Sequence, residues 1–84
     1  MLLSIIQALP EGYSEGWYDN AKYSITKQTF NQGKSYKIYA KELKGTNFIS
    51  LNYYRTTSQE LLKPCEMPAT KVIDFLTTFK PVKL

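Results

Sequence analysis

The chain has 84 residues, enough for one domain and not for two. A domain this small buries only about 60–65% of the surface its unfolded chain exposes, so dimerisation is a natural source of extra burial. Apolar residues make up 43% of it, a globular rather than a disordered composition. Eleven basic and seven acidic side chains leave a net charge of +4, a modest pull toward anionic partners. There is no histidine and only one cysteine, Cys65. That excludes Ser-His and Cys-His catalysis, and any His-ligated or multi-thiolate metal site within one chain. No cofactor is expected. A lone cysteine cannot form an internal disulfide, which suits a reducing compartment.

Leu2, Ile5, Ile6 and Leu9 follow helical spacing and predict a short helix ending before Pro10. The segment lacks a basic leader and a small-residue cleavage site, so it does not read as a signal peptide. No apolar run reaches the roughly 18–20 residues that span a bilayer, and the expected location is cytoplasmic, with no membrane partner. Tyr13 to Tyr18 reads as a strand ended by the turn pair Asp19-Asn20. Ala21 to Phe30 alternates, with Tyr23 and Ile25 on one side and Lys22, Ser24 and Thr26 on the other. Asn31 to Lys34 reads as a hairpin loop. In Ser35 to Leu43, Tyr36, Ile38 and Ala40 share a face opposite Lys37, Tyr39 and Lys41. Lys44 to Asn47 closes the next hairpin. Phe48 to Arg55 repeats the pattern: Ile49, Leu51 and Tyr53 point inward, while Phe48, Ser50, Asn52 and Tyr54 point away.

Thr56 to Gln59 is a polar loop, and Glu60 to Cys65 a possible fifth strand ended by Pro64. Pro68 suits the first turn of a helix. Val72, Phe75, Leu76 and Phe79 then form an apolar stripe with Ile73 at its edge, and Lys80-Pro81 ends it. The expected fold is one α+β domain over residues 1–84. Its four- or five-stranded antiparallel meander is covered on one face by the C-terminal helix, with a short N-terminal helix besides.

Two resemblances accompany this pattern. The runs Leu9-Pro10-Glu11-Gly12-Tyr13-Ser14-Glu15-Gly16, Phe48-Ile49-Ser50-Leu51-Asn52-Tyr53-Tyr54 and Leu61-Leu62-Lys63-Pro64-Cys65-Glu66-Met67-Pro68, followed by Lys71-Val72, cover most of the chain. Together they resemble a small uncharacterised bacterial family sometimes labelled peptide methionine sulfoxide reductase. The resemblance implies a single domain and carries no chemistry with it; the label alone would imply thiol chemistry at Cys65. The Gly-Cys-Phe-Trp and Arg-Tyr-Cys runs of the two reductase types do not occur; Cys65 stands in Pro-Cys-Glu-Met, and Trp17 is distant in sequence. Several strands followed by a polar-Pro link and one amphipathic helix are also similar, in Leu61 to Phe79, to the single-stranded-DNA-binding folds of the Pur-alpha, Whirly and positive-cofactor coactivator types. These usually dimerise and bind single strands across their sheets.

The outward face gathers Lys22, Lys37, Tyr39, Lys41, Phe48 and Tyr54. Lysines draw phosphates and aromatic rings stack on bases, so this interleaving suits single-stranded nucleic acid. The structural alternative places these rings under the N-terminal helix or in a homodimer or other protein interface. Only one arginine, Arg55, is present, although arginine dominates base reading. Cys65 is either a reactive thiol, with Lys63 and the following helix to lower its pKa, or a small buried residue closing a strand; Met67 reads as buried likewise. Trp17 is expected to anchor the core. Gly12, Gly16, Gly33 and Gly45 form no phosphate loop and read as turn glycines; Glu11, Glu15 and Asp19 read as solvated charges. The chain reads as a binding module rather than an enzyme. The readings carried are nucleic-acid binding, protein interaction or homodimerisation, and thiol redox chemistry at Cys65.

Overall fold

A computed structural model describes residues 2–56 and 59–82. The fold is α+β. A short helix α1 (Leu2–Ala8) leads into strands β1 (Gly12–Tyr18), β2 (Ala21–Phe30), β3 (Ser35–Glu42), β4 (Phe48–Arg55) and β5 (Glu60–Pro64). Helix α2 (Ala69–Thr78) follows, and then a two-residue strand β6 (Lys80–Pro81). The sheet is antiparallel in the order β5-β4-β3-β2-β1-β6, a five-strand meander to which β6 adds an edge beside β1. This sixth strand was not expected where Lys80-Pro81 reads as a helix stop. It forms because the chain leaving α2 runs back along β1, where the Val82 N–H donates to the Glu15 carbonyl at 2.9 Å.

The hairpins follow their turn chemistry. Asp19 and Asn20 both hold positive φ, 52° and 63°, as a two-residue primed turn requires. The β2–β3 link places Asn31, Gln32 and Gly33 in the left-handed region. The expected polar loop between β4 and β5 falls partly outside the described residues, at 57–58.

Period-two patterning sorts the sheet into two faces. Tyr23, Ile25, Tyr36, Ile38, Ala40, Ile49, Leu51 and Tyr53 are buried on one of them. Both helices cover that face: Ile6 and Leu9 from the α1 end, and Val72, Phe75 and Leu76 from α2, complete the same core. Phe75 is its hub. Its ring stacks on Phe79 at 5.1 Å and meets Tyr18 and Tyr23 edge-on at 5.0 and 5.9 Å. Gly16 is not a turn glycine. It lies inside β1 beneath Phe79, where an added Cβ would come within 3.1 Å of that ring and of Ile25.

Lys27 continues the inward parity of Tyr23 and Ile25 and is only 6% exposed. Its ammonium bonds the Leu9 carbonyl at 2.8 Å and reaches the Gln7 carbonyl at 3.4 Å, at the end of α1 where carbonyls lack helical partners. It also lies 5.5 Å from the centre of the Tyr36 ring. The buried cation thus fastens α1 to the sheet. Glu11 ties the start of β1 to β2 through the Thr29 hydroxyl and N–H, at 2.6 and 2.9 Å. Those hydrogen bonds hold its carboxyl below the usual range.

Two consequences are measurable. The Tyr53 hydroxyl is buried with no hydrogen-bond partner among the described residues. A buried unpaired hydroxyl costs about 1–3 kcal/mol. Tyr53→Phe should therefore raise the thermal midpoint by several degrees, about 4–8 °C for each kcal/mol gained. Tyr18 donates a 2.6 Å hydrogen bond to Asp74 on α2. That bond, then burial, then the carboxylate's charge push its phenol up to about 12. A folded-state value above the ordinary one near 10 means that this contact stabilises the fold fully below pH 10. The contribution is lost as pH rises through about 12. Phenolate absorbance should show a late-titrating component that Asp74→Asn moves to lower pH.

Candidate nucleic-acid interface

Because α1 packs beside α2, no helix among the described residues lies on the other face of the sheet. The register arranges that face in rows. One crosses Phe30, Ser35, Tyr54 and Leu61. The next crosses Gln28, Lys37, Asn52 and Lys63. A third holds Tyr13, Thr26, Tyr39 and Ser50, and a fourth Glu15, Ser24, Lys41 and Phe48. The last holds Lys80, Trp17 and Lys22. Successive rows are spaced by two residues of strand, about 7 Å, and neighbours within a row by about 5 Å.

All six side chains picked from the sequence lie here. Lys37, Tyr39, Lys41 and Phe48 form one block on β3 and β4, with the Tyr39 and Phe48 rings stacked at 6.1 Å and 28°. Tyr54 stands at one end of this block. Lys22 stands at the far corner, bridged to Glu15 at 3.1 Å. Glu15 also accepts the Tyr13 hydroxyl at 2.6 Å, and both contacts hold its carboxyl low. An exposed pair of this kind contributes little stability and leaves the lysine available to an anion. From α2, Lys71 reaches around the sheet end to 5.8 Å from the Phe48 ring centre, its ammonium donating to Asn47 at 2.7 Å.

Further side chains join the face, Phe30 and Lys80 among them. Lys63 and Leu61 come from β5, Tyr13 and Trp17 from β1. Trp17 is not the core anchor its uniqueness suggested; it is 49% exposed. In β1 the inward parity is taken by Gly16, which leaves no room for a Cβ beneath Phe79, and by Tyr18, which packs on Phe75, so Trp17 between them faces out. Tyr13, Trp17, Tyr39, Phe48, Tyr54 and Leu61 are between 37% and 62% exposed. Lys22, Lys37, Lys41, Lys63 and Lys80 stand among them with the carboxylate of Glu15, while Glu42 and Glu60 of the same strands take the opposite parity.

Cys65 follows β5 on the same side and is half-buried. Its N–H pairs with the Ser50 carbonyl at 3.0 Å, and the Asn52 amide donates to its sulfur at 3.7 Å. Among the described residues no group of three or more acidic or thiol side chains is placed to hold a metal ion, and no helix is long and apolar enough to cross a membrane. No family model, curated protein or solved structure matches the chain.

Proposed function

We propose that the protein is a small non-enzymatic binding module that holds single-stranded nucleic acid across its open sheet face. Lys22, Lys37, Tyr39, Lys41, Phe48 and Tyr54 form its centre, and Trp17 and Lys63 extend it. The observation that carries this reading is the interleaving of exposed rings and lysines, in neighbouring rows and within rows, on a face that no helix among the described residues covers. Rings at this exposure offer stacking worth about 1–3 kcal/mol per base. Stacking requires unpaired bases, which favours a single strand over a duplex. Arg55 lies on the opposite parity, across from Glu60, so the face offers no arginine fork for base edges and should be tolerant of sequence. The order of strands, link and helix, similar to the single-stranded-DNA-binding folds named above, supports the same reading.

Charge argues against a second copy of the chain on this face. A two-fold interface sets the patch against itself, and here that would bring lysine rows together without matching carboxylates. The exposed Tyr13 and Leu61 still favour self-association as the second reading, and sedimentation over a range of concentrations decides it. A labelled single-stranded oligonucleotide titrated at two salt concentrations tests the first. Micromolar binding at low salt, weakening steeply as salt rises, is expected. Absence of binding at low salt would overturn the proposal.

A further inference from the structure

The last row of the open face ends in a notch. The Leu43 N–H donates to the Lys22 carbonyl at 2.9 Å, so pairing continues past the end of β3 and brings Leu43 opposite Lys22. Trp17 stands on the other side of Lys22. Between the β1–β2 and β3–β4 turns, Trp17, Asn20, Lys22, Leu43 and Lys44 enclose a cavity of about 400 Å³. Glu42 also borders it, but its carboxylate turns toward its own hairpin and accepts the Asn47 N–H at 3.3 Å.

These groups describe a ligand. The half-exposed indole of Trp17 and the Leu43 side chain give apolar walls suited to a planar ring. Lys22 and Lys44 line it as the two basic residues; the Lys22 ammonium is paired with the exposed Glu15 carboxylate at 3.1 Å, a weak contact that a phosphate can replace. Asn20 offers an amide that both donates and accepts, as a base edge does. The volume lies within the range of small-molecule sites. An acidic peptide would leave the indole without a planar partner, and a bare phosphate would leave both walls unused.

We infer that this notch binds one nucleotide unit, its base against Trp17 and its phosphate between Lys22 and Lys44, and that it receives the terminal nucleotide of a strand lying on the face. The second half of this inference rests on the proposed function; the first does not.

Trp17 is the one tryptophan in the chain, so indole fluorescence reports on the notch directly. Adenosine monophosphate should change it saturably, with a dissociation constant of about millimolar or below. Adenosine and inorganic phosphate should each bind roughly tenfold more weakly, because each lacks one half of the contacts. Lys44→Glu, in an exposed turn, should remove the response to the nucleotide and leave the thermal midpoint unchanged. A flat titration with adenosine monophosphate, or equal binding of adenosine, overturns the inference. If oligonucleotides bind while the mononucleotide does not, the notch fails and the face stands. If the mononucleotide binds and oligonucleotides do not, the notch stands as a mononucleotide site and the reading of the face falls.

Discussion

Exchanging Lys37, Lys41 and Lys63 together for glutamate should lower affinity for a single-stranded oligonucleotide by at least about a hundredfold. The three ammonium groups are exposed on adjacent strands, and Lys37 and Lys63 flank Asn52 in one row. Each phosphate they neutralise releases condensed counterions, with a salt slope near −0.7 per contact for single strands. Three contacts correspond to a slope of about −2, so raising salt tenfold should itself weaken binding about a hundredfold. In the triple variant the slope should flatten, because the counterions are no longer displaced. The triple glutamine variant, which removes charge without reversing it, should fall between the two. Neither variant should unfold, since these side chains contribute nothing to the core. Unchanged affinity in a folded triple variant would remove lysine recognition from the account.

The second large effect belongs to the fold. Phe75 is fully buried, and its ring touches Tyr18, Tyr23 and Phe79. Phe75→Ala should cost about 3–5 kcal/mol through lost transfer energy and the cavity left behind. A domain of this length has roughly 4–13 kcal/mol in total. The variant should therefore melt roughly 12–40 °C lower, at about 4–8 °C for each kcal/mol, as circular dichroism melting would show. Because Phe75 holds α2 down on β1 and β2, its loss should also free the Tyr18–Asp74 contact. The late phenol titration should then move toward the ordinary range.

Much of this architecture is written in the alternation of β3 and β4. Tyr36, Ile38 and Ala40 against Lys37, Tyr39 and Lys41 leave one choice of faces, since slipping by one residue would bury the lysines. The stripe of Val72, Phe75 and Leu76 is equally readable, and the lysine–aromatic surface follows as the complement of the core. Three features were hidden for distinct physical reasons. Lys27 obeys the inward parity, but its burial is tolerable only because carbonyls 18 and 20 positions back come to meet it, and no local pattern announces that contact. Trp17 looks like an anchor until the placement of its neighbours is known: Gly16 under Phe79 and Tyr18 against Phe75 take the inward parity and leave Trp17 outside. Strand β6 has two residues, one of them a proline, and exists only because the end of α2 lands beside β1.

The decisive unknown was where α1 would pack. Its apolar stripe fits either face of the sheet, and had it taken the other, Tyr39 and Phe48 would be core. Lys27 resolves this. A buried ammonium needing carbonyl partners sits on the α2 side, and the last turn of α1 supplies them. The open face therefore follows from the packing of Ile6 and Leu9 together with a buried lysine that does not itself belong to the surface it exposes.

Amide chemical-shift mapping with a short single-stranded oligonucleotide at low salt would address the surface most directly. Perturbations should concentrate at 37–41, 48–54 and 61–65 and extend to Trp17, with the amides of α1 and α2 little affected. Shifts confined to the helices, or none at all at millimolar oligonucleotide, would contradict the assignment of this sheet face to nucleic acid.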